Sequence, residues 1–273
     1  MTLKVKLLLP FILLVLPEKI HSLIGGEPVM RQDYGYVVQI HDENFLAVGT
    51  LFTARYVLTV AHCFPGKVKP EKLTIIAGQN KLSDKNKGLS VAAIHRHPNF
   101  SSLTLRNDIT VLRVKTPIQY NRFISYMSLC SKPLPLDKNG TEVLLVGWNV
   151  LNLSEPLKSI HIDIDNQNQC RSKFPQLPAG VSCAVSTEKE GICHGDSGSP
   201  LLIDEEVCGM VSGFRSCNNP RHPGLFTDVH FHRQFIARAI LQMDKDMLEQ
   251  NSSKQKTHLQ GYKKGREIPI KVQ

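Results

Sequence analysis

The segment "ICHGDSGSPL", residues 192–201, places two glycines, one acid and two serines between apolar stretches. A backbone of this composition turns sharply, so one side chain is presented at the turn. Ser197 is the residue that could act there as a nucleophile. Because a serine hydroxyl is weakly nucleophilic at neutral pH, it needs a general base, and histidine is the usual one. The base in turn needs a buried acid that holds its tautomer.

Two upstream segments supply a base and an acid. His62 lies at the end of the apolar strand pattern in "YVLTVAHCF", and Asp108 lies at the start of the one in "RNDITVLRV". Both residues would therefore sit where a rigid strand meets a loop. Taken alone, each of the three has an ordinary explanation as a strand-end histidine, a turn cap or a turn serine. Together they predict a triad in which His62 and Asp108 activate Ser197.

The rest of the chain is rich in short strand patterns that could position these residues. In "SIHIDID", isoleucines alternate with polar residues, which is typical of a half-buried strand. Many short strands without helices between them predict an all-β fold of antiparallel barrels or a sandwich. The strand patterns cover residues 35–40, 56–62, 72–78, 109–114, 141–148, 159–165, 207–214 and 224–229. The proline-containing segment 116–140 is interpreted as the connector of two barrels, and helical spacing after Phe231 predicts a closing helix.

The two ends of the chain differ in character from the middle. Residues 1–22 begin with two lysines before an apolar run that is too short to span a bilayer, and they end in the small residue Ser22, which predicts a signal peptide and secretion. No other stretch could cross a membrane.

Residues 242–273 carry seven Lys or Arg against four Asp or Glu and few apolar side chains. We expect a disordered basic tail there, in preference to an arm that binds polyanions, and no nucleic-acid partner.

Six motifs in one order resemble the trypsin and chymotrypsin family of secreted serine proteases. They are "LIGG" (23–26), "LTVAHC" (58–63), "NDITVLRV" (107–114), "VGW" (146–148), "CHGDSGSP" (193–200) and "HPGLFTDV" (222–229). The resemblance covers residues 23–241 and implies two packed six-stranded antiparallel β-barrels, a C-terminal helix and an active site between the barrels. It implies a serine endopeptidase that acts on proteins and peptides through an acyl-enzyme, and that protein inhibitors could occupy.

By position, the resemblance makes His62 the general base, Asp108 the acid that orients it and Ser197 the nucleophile. The amides of Gly195 and Ser197 would form the oxyanion hole, where the loss of one donor typically costs ~10²–10³ in rate. Ser212 matches the serine that supports the catalytic acid in this family.

Activation in this family pairs a new N-terminal amine with the acid before the nucleophile, which here implies Leu23 and Asp196. A zymogen cut by trypsin would show Lys or Arg directly before Leu23, whereas this chain has "KIHS". Cleavage after Lys19 would leave three extra residues to trim. We therefore expect direct cleavage between Ser22 and Leu23, for which signal peptidase is suited because Ser22 is small.

By the same resemblance, Gly191 is the floor of the specificity pocket, Ile192 and Gly224 lie on its wall, and Ser212 begins the substrate-binding strand. No carboxylate is available for a Lys or Arg side chain, so trypsin-like specificity is not expected. Phe214 stands where a glycine usually leaves the pocket mouth open. These features predict cleavage after small or apolar residues. The alternative is a weak or inactive homologue that acts as a binding or regulatory protein.

Seven cysteines in an exported chain indicate disulfides and at least one free thiol. The resemblance implies the bridges Cys170–Cys183 and Cys193–Cys217. A bond between Cys130 and Cys208 would leave Cys63 as the odd thiol. Glycosylation motifs begin at Asn99, Asn139, Asn152 and Asn251.

Metal and cofactor sites are not predicted. The pairs His95 with His97 and His230 with His232 could each place two imidazoles on one strand face, but they are expected to be solvent-exposed pairs rather than zinc sites. The segment "GQNKLSDKNKGLS" contains one carboxylate, so no calcium site is expected.

Overall fold

The structure is a computed structural model that describes residues 23, 25–66, 68–82, 88–136, 140–148, 154–186, 190–193, 195–214 and 223–264. Strands dominate these residues. They are β1 (Glu27–Pro28), β2 (Val37–His41), β3 (Phe45–Leu51), β4 (Tyr56–Thr59), β5 (Thr74–Ile76), β6 (Leu89–Arg96), β7 (Thr110–Val114), β8 (Ser128–Leu129), β9 (Thr141–Gly147), β10 (Lys158–Ile164), β11 (Val181–Ser186), β12 (Pro200–Ile203), β13 (Glu206–Gly213) and β14 (Gly224–Asp228). The α-helices are α1 (Gln167–Lys173) and α2 (Arg233–Lys264), and a 3-10 helix covers Pro70–Lys72.

Six antiparallel strands close the first barrel in the order β2-β3-β4-β7-β6-β5. Its strands are rich in β-branched residues, which suit the pleated surface of a sheet. The inward side chains form one apolar cluster that is removed from water, and this burial is the main favourable term for the barrel. The cluster includes Val38, Ile40, Leu51, Val57, Leu73, Ile75, Leu112 and Val114.

The second barrel closes in the order β9-β10-β11-β14-β13-β12, because β12 also pairs with β9. Strand β1 adds to β10, and β8 adds to β13. In β10 the isoleucines at 160, 162 and 164 are buried, while His161 and Asp163 are exposed, as the alternation in the sequence predicts. The predicted fold of two six-stranded antiparallel barrels with a C-terminal helix is therefore confirmed.

Helix α2 continues to Lys264, so the expectation of a disordered tail from residue 242 is wrong for most of that segment. The first turns beyond residue 242 have tertiary partners, since the Tyr56 hydroxyl donates to Asp244 and an Arg113 N–H points at the Met247 sulfur at 3.3 Å. Side chains four residues apart, such as Gln242 with Asp246, add local support. Among the described residues, no helix has the length and apolar content that a membrane span requires.

Two disulfides connect described cysteines. Cys130 bonds Cys208 and thereby ties the connector to β13, and Cys170 bonds Cys183 between α1 and β11. Cys193 is also disulfide-bonded, while its predicted partner Cys217 lies outside the described residues. Cys63 is a free thiol.

Candidate active site

Strand pairing in the first barrel brings His62 and Asp108 together. Strands β4 and β7 are antiparallel, with Thr59 opposite Thr110. The chain leaving β4 therefore passes the chain entering β7, and His62 and Asp108 lie on these two segments. Ser197 comes from the second barrel, in the turn between β11 and β12, so the candidate site lies where the barrels meet.

The three predicted residues form one continuous hydrogen-bonded chain. His62 Nε2 lies 2.8 Å from Ser197 Oγ, and His62 Nδ1 lies 2.7 Å from Asp108 Oδ2. Nδ1–H donates to the carboxylate, so Nε2 presents its lone pair to the serine hydroxyl when the imidazole is neutral. This is the geometry in which a histidine can take the proton of a nucleophilic serine.

Asp108 is fully buried, and several donors compensate for this burial. Its Oδ1 accepts from the backbone N–H groups of Ala61 at 2.7 Å and His62 at 2.8 Å, and Oδ2 accepts from the Ser212 hydroxyl as well as from the His62 ring. The Thr227 hydroxyl donates to the Asp108 carbonyl oxygen at 3.0 Å. These hydrogen bonds hold the carboxylate in one orientation. Thr227 was not predicted from the sequence, because its role depends on the position of β14 in the sheet.

Several groups act on the pKa of His62. Burial lowers this pKa, but hydrogen bonds and charge interactions with Asp108 and with the neighbouring Cys63 outweigh burial and raise it above the ordinary value.

The turn that carries Ser197 is held by backbone hydrogen bonds to both barrels. Val48 N–H of β3 donates to the Ser197 carbonyl oxygen at 2.9 Å, and Gly198 N–H donates to the Val211 carbonyl oxygen at 2.9 Å. Gly198 has φ +82°, and a Cβ there would overlap the Val48 carbonyl oxygen, so this position requires glycine. In the described part of the chain, no acceptor takes the N–H of Gly195 or of Ser197, which leaves both donors available for an oxyanion.

Leu23 and Asp196 lie together in a buried socket beside this turn. The Leu23 backbone nitrogen donates to Asp196 Oδ2 at 3.0 Å, and Cys193 N–H donates to the same oxygen at 2.8 Å. Leu23 and Asp196 are 1% and 0% exposed. Ser199, where this family usually has glycine, is also fully buried, and its hydroxyl has no hydrogen-bond partner among the described residues.

The predicted pocket residues come from two segments, since Gly191 and Ile192 precede the turn that carries Ser197 and Gly224 begins β14. Gly191, Ile192 and Gly224 are buried, and a Cβ at Gly224 would overlap Cδ1 of Ile192. The Ile192 side chain thus crosses the face of Gly224. Phe214 is half-buried and packs against the apolar core that includes Ile192.

An apolar cavity of about 410 Å³ lies between Leu105, Phe174 and Leu225. Gly213 borders it, since a Cβ at this position would lie 2.9 Å from Leu105 Cδ1. No local sequence pattern predicts this cavity, because its walls come from three separate segments. Its apolar walls are Leu103, Leu105, Phe174, Pro175, Leu177, Pro178 and Leu225.

Other predicted sites fall on different parts of the surface. Asn99 and Asn251 are exposed, while Asn139 and Asn152 lie outside the described residues, as do residues 1–22. Within the described residues, the one group of side chains of metal-binding type contains Cys130, Glu206 and Cys208. Both of these cysteines are in a disulfide, so neither offers a thiolate.

Comparison with known proteins agrees with this geometry. The family model described as Trypsin matches residues 23–236. The chain is 29% identical to Seminase of Drosophila melanogaster over 238 residues, covering 83% of this chain and 85% of that protein. It is 31% identical to Chymotrypsin-2 of Vespa crabro over 221 residues, covering 79% of this chain and 99% of that protein. Neuropsin, a serine protease expressed in the limbic system of mouse brain, shares the fold, with a TM-score of 0.69, 23% identity and coverage of 79% of this chain and 98% of that one. Since the family model spans more than half of the chain, this protein belongs to the trypsin family.

Proposed function

We propose that this protein is a secreted serine endopeptidase that hydrolyses peptide bonds through an acyl-enzyme on Ser197. The observation that carries the proposal is the continuous hydrogen-bonded chain from Ser197 Oγ through His62 to the buried Asp108 carboxylate. The membership of the trypsin family, whose relatives are serine proteases, supports the same reaction. Protein and peptide substrates, and protein inhibitors that imitate them, are the expected partners.

The reaction proceeds in two halves. His62 Nε2 takes the hydroxyl proton while Ser197 Oγ attacks the carbonyl carbon, and the carbonyl electron pair moves onto oxygen. The N–H groups of Gly195 and Ser197 stabilise this oxyanion, and one such donor is worth ~10²–10³ in rate. The tetrahedral intermediate collapses as His62 gives its proton to the leaving amine. Water, deprotonated by His62, then attacks the ester, and the proton returns to Ser197 as the acid product leaves.

The pocket supports a preference for small or apolar residues before the scissile bond. Ile192 reduces the space beside Gly224, and no carboxylate stands at Gly191 to pair with a basic side chain. A substrate strand beside Gly213 would also bring upstream side chains close to the apolar cavity at Leu105. Apolar contacts of this kind add binding energy without requiring a deep primary pocket.

We propose that the mature chain begins at Leu23 after signal removal. The buried contact of the Leu23 nitrogen with Asp196 supports this, because a free amine there would carry the charge that the buried carboxylate needs. N-terminal sequencing of secreted protein is the test. A mature chain that starts upstream of Leu23 would contradict the proposal.

A second candidate function is that of a binding protein without hydrolytic activity. It is favoured by the crowding of the pocket by Ile192 and by the inward packing of Phe214. Such a protein would hold a peptide in the cleft without turnover.

A fluorophosphonate probe separates the two functions. Secreted protein with the native N-terminus should be labelled covalently, and Ser197→Ala should abolish labelling while thermal unfolding stays unchanged. Prior treatment with a peptide chloromethyl ketone that ends in alanine should block labelling if the pocket takes small residues. Absence of labelling in correctly processed, folded protein would favour the binding function. A peptide-library profile of active protein then tests the preference, and cleavage mainly after Arg or Lys would contradict it.

A further inference from the structure

His232 is a buried histidine outside the triad, located in the turn between β14 and α2. It is 3% exposed, so the expectation that His230 and His232 form a solvent-exposed pair is wrong for His232. The reason is that this turn directs the ring toward the loop before β7. Nδ1 lies 2.7 Å from the Asp228 carbonyl oxygen, and Nε2 lies 3.3 Å from Oδ1 of Asn107. Both ring nitrogens therefore face oxygen atoms.

Asn107 links His232 to a further acceptor. Its Nδ2 donates to the Asn99 carbonyl oxygen at 3.1 Å. A carboxamide has donors on one side and an acceptor on the other. A neutral His232 that donates from Nδ1 to the Asp228 carbonyl oxygen presents a lone pair at Nε2. The Asn107 amide can then satisfy either this lone pair or the Asn99 carbonyl oxygen with its N–H group, but not both. In either orientation of the amide, its oxygen faces a second acceptor. An imidazolium donates from both nitrogens, and all three hydrogen bonds then form.

Asn107 directly precedes the candidate catalytic acid. Its φ of +55° lies in the left-handed region, which asparagine tolerates better than most residues. Ile109 N–H donates to the Asn107 carbonyl oxygen at 2.8 Å, which closes the backbone tightly around Asp108. The side chain of Asn107 is therefore an anchor for the conformation that places Asp108. Its two partners are the Asn99 backbone and the His232 ring.

We infer that His232 is a positioning residue for Asp108, which it holds through the Asn107 side chain, and that this hold is complete only when both nitrogens of His232 carry a proton. The inference rests on the proposed role of Asp108 in the triad. The Thr227 hydroxyl contacts the Asp108 backbone, and His232 contacts the side chain of the preceding Asn107. These two contacts connect β14 and the turn after it to the segment that places Asp108 against His62.

The charged and titratable groups around His232 come from several elements. Asp228 in β14 and Asp108 before β7 favour the imidazolium, and the His97 ring after β6 packs edge-on at 6.0 Å. Burial lowers the pKa of His97, and charge on His232 lowers it further. At the start of α2, Arg233 contacts His230 on the exposed side of the turn.

Burial is the largest influence on His232 and lowers its pKa below the ordinary value, although the Asp228 backbone and the two carboxylates oppose this. At neutral pH the ring is therefore neutral and the Asn107 contact is incomplete. Acidification completes the contact.

NMR titration of the full chain with Ser197→Ala, which prevents self-digestion, tests the inference. Between about pH 4 and pH 8, the His232 ring nitrogens and the Asn107 carboxamide should share one transition, with a midpoint below the ordinary histidine value of about 6.5. Because Asn107 does not ionise, its carboxamide can report this transition only through contact. A carboxamide that does not follow His232 would overturn the inference. The titration requires no catalysis, so its result does not depend on the proposed peptidase activity. If the protein is inactive, the titration still tests the contact between His232 and Asn107.

Kinetics of matched variants test the positioning role in active protein. Below the pH of the His232 transition, where the contact with Asn107 is complete, His232→Phe should lower kcat about tenfold with KM unchanged, the factor that loss of one hydrogen bond of ordinary strength gives. Above that pH the loss should be smaller. His232→Gln keeps an N–H for Asn107 without a charge, so it should recover most of the rate. His230→Phe replaces the other histidine of this turn, which contacts Arg233 and not Asn107, and should keep the full rate. Equal losses in His232→Phe and His232→Gln would show that the ring only fills space and would overturn the positioning role.

Discussion

The side chain of Ile192 lies across the face of Gly224, so closely that a Cβ at position 224 would overlap its Cδ1. Ile192 is 8% exposed and belongs to the apolar core of the second barrel, so packing holds it in place. The wall of the proposed specificity pocket is therefore continuous with the core. The size of the primary pocket depends on how this one side chain packs.

Shortening Ile192 should enlarge the pocket. We expect Ile192→Ala to raise kcat/KM for substrates with Leu or Phe before the scissile bond, relative to Ala, by about 10–100-fold, since one or two methylenes in an apolar pocket are worth this much. The measurement is kcat/KM on matched peptide amides. Ile192→Val is the control and should show a smaller shift in the same direction. An unchanged ratio in Ile192→Ala would show that another group limits the pocket.

The contact between Leu23 and Asp196 predicts a second loss of function away from the triad. Asp196→Asn removes the charge opposite the Leu23 amine, and breaking a buried pair of this kind costs about 3–5 kcal/mol. Because Asp196 lies in the turn between Gly195 and Ser197, the oxyanion donors should lose their positions. We expect kcat/KM to fall at least 100-fold, which is about 2.7 kcal/mol.

The control for this variant is Asp204→Asn, which changes an exposed acid in the turn between β12 and β13. It should keep full activity. Activity of Asp196→Asn within a few-fold of that of the unmodified protein would show that the pairing does not hold the oxyanion donors.

Much of this fold is readable from the sequence because its strongest patterns are local. The alternation in β10 and the apolar runs of β4 and β7 predict strands, and the ends of β4 and β7 place His62 and Asp108. Strand β3, "FLAVGTL", shows no comparable alternation and was not predicted, since it is buried along most of its length. The short helix α1 has an asparagine cap and one buried residue, Cys170, which is too little for an apolar period.

Features that depend on distant contacts could not be read from the sequence. The segment after residue 242 has the composition of a solvated tail, yet it is helical because Tyr56 and Arg113 of the first barrel contact its first turns. The burial of His232 and the donor role of Thr227 likewise follow from the position of β14 in the closed barrel. The local composition of a segment does not indicate which distant residues it will contact.

The neighbouring thiol predicts a change in the pH dependence of catalysis. Neutral His62 is the active base, so kcat/KM should rise as pH rises through the pKa of His62. Cys63 contributes to raising that pKa, so Cys63→Ala should move the acid limb of the kcat/KM profile to lower pH. Cys63→Ser is the control, because a hydroxyl keeps a hydrogen-bonding group at this position, and it should give an intermediate midpoint. A midpoint that is the same in all three proteins would mean that the thiol does not act on His62.

The attachment of α2 predicts a stability effect far from the active site. Tyr56 is buried, and burial and Asp244 raise the pKa of its hydroxyl, which therefore remains a donor at all ordinary pH values. Tyr56→Phe should lower the free energy of unfolding by about 1–2 kcal/mol, as expected for a hydrogen bond to a charged acceptor. Urea unfolding in the Ser197→Ala background measures it.

Lys245→Ala is the control for this attachment. It removes an exposed ion pair with Glu249 that has a separation of 3.9 Å, and its effect should be close to zero. If Tyr56→Phe is also neutral, then α2 does not depend on this contact for its docking.

Ser199 predicts a substitution that stabilises the protein. Its hydroxyl is buried beside Gly147 and has no partner among the described residues, and an unsatisfied buried polar group costs about 1–3 kcal/mol. Ser199→Ala removes the hydroxyl and keeps Cβ, so packing is preserved and the melting temperature should rise by about 2–4 °C per kcal/mol gained. Thr59→Val is the matched control of opposite sign, because the buried Thr59 hydroxyl donates to the Val48 carbonyl oxygen at 2.8 Å and its loss should destabilise. A lower melting temperature for Ser199→Ala would show that the hydroxyl has a partner, of which a buried water next to Asp196 is the natural choice.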